Sequence, residues 1–281
     1  MREINVKELK NAVVKLCVKA NIELPCEIEN KLKAAVRTEK NPLGKEVISD
    51  LISNTKAALS HNIPICQDTG MAVVFLDIGQ DVHLVGGDLT AAINSGIAQG
   101  YKEGLLRMST VIEPLFQREN AGDNTPGIIY TNIVEGDKVK ITLAPKGFGS
   151  ENMSRIKMFN PSVEVAEIVD FVVDTVELAG GNPCPPITVG VGIGGDFEYA
   201  AFLSKKALCR SSSQPNSHPL YRDLEEEMLR KINLTGIGPQ GFGGSTTALY
   251  VNIEYYPTHI AGLPVAVNIG CHVTRHKEIV L

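Results

Sequence analysis

With 281 residues, 43% of them hydrophobic, the chain is long enough to bury one large core or two smaller ones, which excludes a disordered polymer. Its 27 Lys and Arg stand against 32 Asp and Glu, for a net charge of −5, and no basic run tracks a phosphate backbone, so nucleic acid is excluded as a partner class. No apolar stretch approaches the roughly 18 residues that a membrane span needs, and the opening MREINVKELK lacks the apolar centre of a signal peptide, so no membrane contact and a cytoplasmic location are expected.

Residues 1–60 read as helices, with Val6, Leu9, Val13, Leu16 and Ala20 at helical spacing and breaks at Leu24-Pro25 and Asn41-Pro42. From Met71 the pattern becomes strand-like in MAVVFLD. LTAAINSGIAQGYKEGLLR is a helix despite its glycines, and IIYTNIV and KVKITLAP form a hairpin across Glu135-Gly136-Asp137. VEVAEIVDFVVDTVELAGG is a helix that ends on Gly180-Gly181, where a C-terminal cap places glycine. A strand ITVGVGI, helices FEYAAFLSKKAL and LYRDLEEEMLRKIN, and strands ALYVNIEYY and PVAVNIG complete the chain. The expected class is α/β (mixed α+β): an N-terminal helical segment, 1–60, followed by mixed sheet layers with flanking helices, 61–281, as one compact unit without a linker or repeat.

The six cysteines fall into two groups. Cys17, Cys26 and Cys209 sit in helical runs and read as packing residues. Cys66, Cys184 and Cys271 lie among Gly, Pro and small polar residues, in PICQDTG, GGNPCPPITVG and VNIGCHVTRH. Cytoplasmic thiols stay reduced, and no C-x-x-C pair supports a zinc ribbon. Loops at sheet ends can converge, and three converging thiolates could hold an iron–sulfur cluster with one iron open as a Lewis acid. Small buried thiols at strand entrances explain the same residues.

Three glycine-rich stretches carry rival meanings. Gly190-Val-Gly-Ile-Gly-Gly195 satisfies G-x-G-x-x-G between a strand and a helix, the pattern of a nucleotide-binding oxidoreductase. The following CRSSSQPNSHP offers neither a second parallel strand nor an acidic residue to hold a ribose, so close backbone approach is the better account. Lys146–Asn152 and Gly236–Gly244 could bring backbone N–H groups to an anion, with charge from Lys146 or Arg155, or could be plain turns; neither has the G-K-[ST] ending of a P-loop.

Taken in order, CQDTG (66–70), KGFGSEN (146–152), NPCPP (182–186) with the Gly-rich run after it, and THIAGLPVAVNIGCH (258–272) resemble the class I iron–sulfur fumarate hydratase and tartrate dehydratase family, in its α-type chain. The resemblance spans about 60 to 276. It implies a [4Fe–4S] cluster bound by Cys66, Cys184 and Cys271, and a small dicarboxylate substrate that gains or loses water, fumarate first and L-tartrate as the alternative. It further implies Asp68 and His259 as proton-transfer residues and Gln67, Arg107, Gly147 and Gly149 as substrate contacts. Three of these have a plainer account: Asp68 as a turn cap, His259 as a hydrogen-bonded core histidine, Arg107 as a basic residue in a helix's last turn. Phe148 stands where a common family form has a third glycine. Fused family members continue into a further domain, so a chain stopping at Leu281 implies a separate β subunit, little activity without it, and a homo-oligomer of αβ pairs. A non-catalytic subunit that kept the fold is the remaining alternative.

Overall fold

The computed structural model describes residues 1–281. In chain order it contains β1 (Arg2–Asn5), α1 (Val6–Ile22), α2 (Cys26–Thr38), α3 (Pro42–His61), β2 (Met71–Gly79), β3 (Val82–Val85), α4 (Leu89–Glu103), β4 (Ile128–Val134) and β5 (Val139–Lys146). It continues with α5 (Phe148–Glu151), β6 (Arg155–Phe159), α6 (Val165–Ala179), β7 (Ile187–Gly194), α7 (Phe197–Ala207), α8 (Pro219–Leu234), β8 (Ala248–Tyr256), β9 (Leu263–Gly270) and β10 (Lys277–Val280). The mixed α/β class is the one expected. No helix is long and apolar enough to cross a membrane.

The contacts group the chain into two compact units: Met1–Pro25, Thr55–Phe148 and Arg275–Leu281 form the first, and Cys26–Asn54 with Gly149–Thr274 the second. This partition follows a different line from 1–60 and 61–281. The reason is packing: α1 lays its apolar stripe on α4 and β5, whereas α2 packs against β8.

In the first unit the four-stranded sheet has the order β10-β5-β2-β4, with β2 parallel to β4 and antiparallel to β5. The expected hairpin of β4 with β5 is therefore not formed; β2 lies between them. Ala72 to Leu76 of β2 are all buried, while Thr131, Asn132 and Ile133 of β4 face solvent. Placing the more apolar strand centrally removes more apolar surface from water. Leu9, Val13 and Leu16 of α1, Ile93, Ile97 and Tyr101 of α4, and Val74, Leu76, Ile141 and Leu143 of the sheet form the core. The Cys17 thiol belongs to that core, and burial pushes its pKa up to about 12, as suits a packing residue. β1 and β3 make a small parallel pair. Helix α4 stops at Glu103, four residues short of the expected end, because Gly104 caps it and Leu105 turns to a φ of 50°.

In the second unit the sheet order is β6-β9-β7-β8, with β7 parallel to β8 and antiparallel to β9. The chain does supply a second parallel strand after the G-x-G-x-x-G run, contrary to the sequence expectation: β8 arrives through α7 and α8. Alternation decides the two faces of β7. Val189, Val191 and Ile193 join Val169 and Val172 of α6 and Met228 and Ile232 of α8 in one core. Gly190 and Gly192 face α7, so close that a methyl group on them would stand 2.1 Å from Ser204 O and Ala200 O respectively. These glycines lie within the strand and serve close packing, which is what removes the dinucleotide reading.

One buried carboxylate ties the end of α2 to the glycine-rich loop before β8. Glu39 accepts the N–H groups of Lys40 at 2.7 Å, Asn41 at 2.8 Å and Ser245 at 2.8 Å. Burial alone pushes its pKa up, but the hydrogen bonds from Asn41, Ser245, Thr246 and Lys40 outweigh that and hold it at about 2.

Replacing Gly192 by Ala should cost about 3 kcal/mol, since the helix backbone must move to admit the methyl, whereas Gly262→Ala, with nothing within 4 Å of the new atom, should change stability by less than about 0.5 kcal/mol. Urea unfolding midpoints compare them. Because the Glu39 pKa is depressed on folding, its stabilisation is complete above the unfolded value near 4.5 and is lost as pH falls from there toward 2. Glu39→Gln should lower stability at neutral pH by about 2 kcal/mol and flatten the acid limb of the stability curve over that window.

Candidate active site

Cys66, Gln67 and Asp68 lie on the loop that enters β2, and the antiparallel register explains what they meet. Met71 pairs with Lys146, so the entrance to β2 and the exit from β5 share one end of the sheet. There the Asp68 carboxylate accepts Gly70 N–H at 2.9 Å through Oδ1 and Phe148 N–H at 2.9 Å through Oδ2. A methyl on Gly147 would stand 3.0 Å from Oδ2. Asp68 thus does cap its own turn, and it also fastens the KGFG segment 80 residues further along. Two of its roughly four lone-pair sites are used.

The backbone of this loop is held from three further directions. The buried Tyr101 hydroxyl donates to Thr69 O at 3.1 Å and Gly70 O at 2.9 Å, and burial, with the Cys17 thiol beside it, raises its pKa so that it stays a donor. Asn124 Nδ2 donates to Gly70 O at 3.2 Å, and Arg275 Nη2 donates to Asp68 O at 2.6 Å. The Thr69 hydroxyl receives Arg107 N–H at 2.9 Å, which brings the coil after α4 against the Cys66 loop.

The consequence is an open hollow of about 450 Å³ lined by Ile63, Pro64, Cys66, Gln67, Thr69, Leu105, Leu106 and Arg107. Three residues singled out in sequence, Cys66, Gln67 and Arg107, share it. Arg107 is past the helix rather than in its last turn, and its side chain is exposed. A guanidinium and an amide beside a thiol can grip a carboxylate, Arg by two parallel N–H bonds.

The second unit holds the other predicted residues at two ends of its sheet. Thr188 pairs with Gly270, so Cys184, before β7, and Cys271, after β9, lie at the same end. Gly149 is at this end too, where a methyl on it would stand 3.6 Å from Asn182 O. His259 is elsewhere. It follows β8, whose C-terminal end lies with that of parallel β7, and Thr258 Oγ1 donates to Gly195 O at 2.8 Å. The eight residues of β7 therefore separate His259 from the Cys184 end, roughly 25 Å at strand rise. Nor is His259 a core histidine: it is exposed, and its Nδ1 accepts Ala261 N–H at 3.1 Å, so the neutral ring carries its proton on Nε2.

None of the six cysteines is in a disulfide, and no three His, Cys, Asp or Glu side chains stand as a grouped metal site. The donor chemistry of Cys66, Cys184 and Cys271 suits a thiolate-bound iron–sulfur cluster, all three being on loops and at least partly exposed. A second hollow of about 440 Å³ is lined by Arg210, Gln214, Pro215, Asn216, Ser217, Glu254 and Tyr255, but Arg210 is already paired with Glu225 and Glu254.

Sequence reasoning missed Thr69, Tyr101, Asn124 and Arg275 as holders of the site. Thr69 was within the motif; the others act on backbone carbonyls far along the chain, and nothing in their local pattern signals that. If the Asp68 carboxylate fastens the loop, Asp68→Asn presents a donor to one of its two N–H partners and should lower stability by about 1 kcal/mol in urea melts, with no substrate present.

A family model described as fumarate hydratase (Fumerase) matches residues 10–280. A protein of Methanocaldococcus jannaschii, provisionally named L(+)-tartrate dehydratase subunit alpha, is 39% identical over 273 residues, 95% of each chain. The L(+)-tartrate dehydratase subunits alpha of Escherichia coli K12 and Shigella sonnei are each 30% identical over 280 residues, 98% of this chain and 91% of theirs.

Proposed function

We propose that this chain, which belongs to the fumarate hydratase (Fumerase) family of hydro-lyases, is the α subunit of an L(+)-tartrate dehydratase that works with a separate β subunit. Fumarate, first by motif resemblance, gives way to tartrate because the named relatives that align along almost the whole chain carry that name. The observation that carries a hydro-lyase reading is the hollow in which Cys66, Gln67 and Arg107 stand together.

Cys66, Cys184 and Cys271 are the proposed thiolate ligands of a [4Fe–4S] cluster. When bound, a cluster held by three thiolates supplies a Lewis-acidic iron with an open position for a substrate hydroxyl. The residues of the chain do the rest. Arg107 binds a substrate carboxylate and stabilises the charge that grows on it as the neighbouring C–H bond breaks. Gln67 orients the bound acid from the same wall. Gly147 and Gly149 flank Phe148 and keep the KGFG backbone open to the substrate. Asp68 is the proposed proton carrier nearest the hydroxyl, with the acceptor capacity that its two backbone bonds leave.

His259 is the second proposed proton-transfer group. It stands at the sheet end opposite Cys184 and Cys271, so in that role we propose that it serves the site of another copy in a homo-oligomer of αβ pairs.

The test is co-purification with the β subunit under strict anaerobiosis, iron and sulfide analysis, and assay of both acids. About four iron and four sulfide per αβ pair, kcat/KM at least about tenfold higher for L-tartrate than for fumarate, and loss of iron in Cys184→Ser are expected. A preference for fumarate overturns the substrate assignment, and full turnover by this chain alone overturns the need for a partner.

A further inference from the structure

The Cys184 loop has an unusual deficit. Pro185 and Pro186 follow the cysteine, and neither has a backbone N–H, so the segment cannot pair as a regular turn or strand, and the carbonyls of Cys184 and Pro185 take their donors from elsewhere in the unit. Cys184 itself sits at a φ of 56°, a left-handed conformation that a residue with a side chain keeps only when its surroundings impose it.

Three donors meet the deficit. His272 Nδ1 lies 2.9 Å from Cys184 O, and Gln240 delivers both its backbone N–H and its side-chain Nε2 to Pro185 O, each at 2.7 Å. For His272 to bond a carbonyl its proton must be on Nδ1, so the 3.4 Å approach of Gln240 Nε2 is a contact between two donors, each with its own carbonyl. Gln240 is also left-handed, at φ 52° and ψ 17°, the conformation that turns its N–H and its side chain toward the same oxygen.

The loop that carries Gln240 is itself fixed. Glu39 receives Ser245 N–H and its hydroxyl, and Asn41 Nδ2 donates to Gly243 O at 2.9 Å. The loop passes so near the Cys184 segment that a methyl on Gly241 would stand 3.1 Å from Gly181 Cα. The glycine-rich run Gly236–Gly244, open in sequence to an anion-binding reading, is thus engaged by the loop of a cysteine.

We infer that His272 and Gln240 are positioning residues for the Cys184 thiolate, holding the carbonyls of Cys184 and Pro185 so that the sulfur keeps one direction before and after a cluster binds. This rests on the reading of Cys184 as a cluster ligand. A preset thiolate loses less freedom on binding iron and releases it more slowly.

The experiment compares wild type, Cys184→Ser, His272→Ala, His272→Asn and Gln240→Gly, each anaerobically reconstituted with the β subunit, by iron content and by the rate of iron loss on exposure to air. Apoprotein melting serves as a fold control. Asparagine places an N–H donor near the position of Nδ1, and glycine accepts the left-handed turn while deleting the side-chain bond. Support is Cys184→Ser without iron, His272→Ala and Gln240→Gly loading iron but losing it roughly tenfold faster than wild type, and His272→Asn close to wild type. Loss at the wild-type rate in both His272→Ala and Gln240→Gly overturns the positioning role and leaves the ligand reading standing. Should His272→Ala fail to fold, Gln240→Gly against His272→Asn decides alone. Full iron in Cys184→Ser removes the ligand reading and this inference together.

Discussion

The second unit depends on β7 lying between β8 and β9. With Thr188 opposite Gly270, the segments carrying Cys184 and Cys271 must leave the sheet at one end, and with β8 parallel to β7, the turn carrying His259 must leave at the other. The central place is open to β7 because its two faces differ. One is branched and apolar against α6 and α8, and the other is bare glycine against α7. The first unit has the same logic in smaller form. There β2, the most thoroughly buried strand, takes the centre, and its pairing of Met71 with Lys146 puts the Cys66 loop beside the KGFG segment.

Around these sheet ends, polar groups are used on backbone rather than on one another. Asp68 collects two N–H groups, Glu39 collects three with a hydroxyl, and Tyr101, Arg275, His272 and Gln240 donate to carbonyls. Loops rich in Gly and Pro cannot satisfy their own backbone groups by regular structure, so such partners supply the rigidity that a helix or strand would. For the proposed site, with its thiolates and carboxylate-binding groups, this is the kind of support that binding needs before any ligand arrives.

The placement of functional groups also separates roles that sequence motifs run together. THIAGLPVAVNIGCH reads as one motif, yet β9 carries its two ends to opposite ends of the sheet's strands: His259 with the C-terminal end of β7, Cys271 with its N-terminal end. CQDTG, by contrast, stays together. Its cysteine, glutamine and threonine line the hollow with Arg107, while its aspartate, and the threonine hydroxyl as well, fasten the loop.

The chain by itself determined its elements, because hydrophobic period, proline breaks and glycine stops are local: α1, α2 and α3 end or begin at Pro25 and Pro42, and α6 ends at Gly180. It also set apart Cys66, Cys184 and Cys271 as loop thiols and displayed the ordered motifs of a hydro-lyase family. Short or solvent-facing strands such as β1, β3, β6 and β10 left too weak a pattern to be read. Tertiary structure alone decided the strand order that separates β4 from β5, the burial of Gly190 and Gly192 under α7, the end of the sheet at which His259 emerges, and the engagement of the Gly236–Gly244 loop with Cys184. These outcomes turn on which of several apolar strands gains most from central burial and on which distant donor reaches an unpaired carbonyl, and both are comparisons across the whole chain that no local pattern contains.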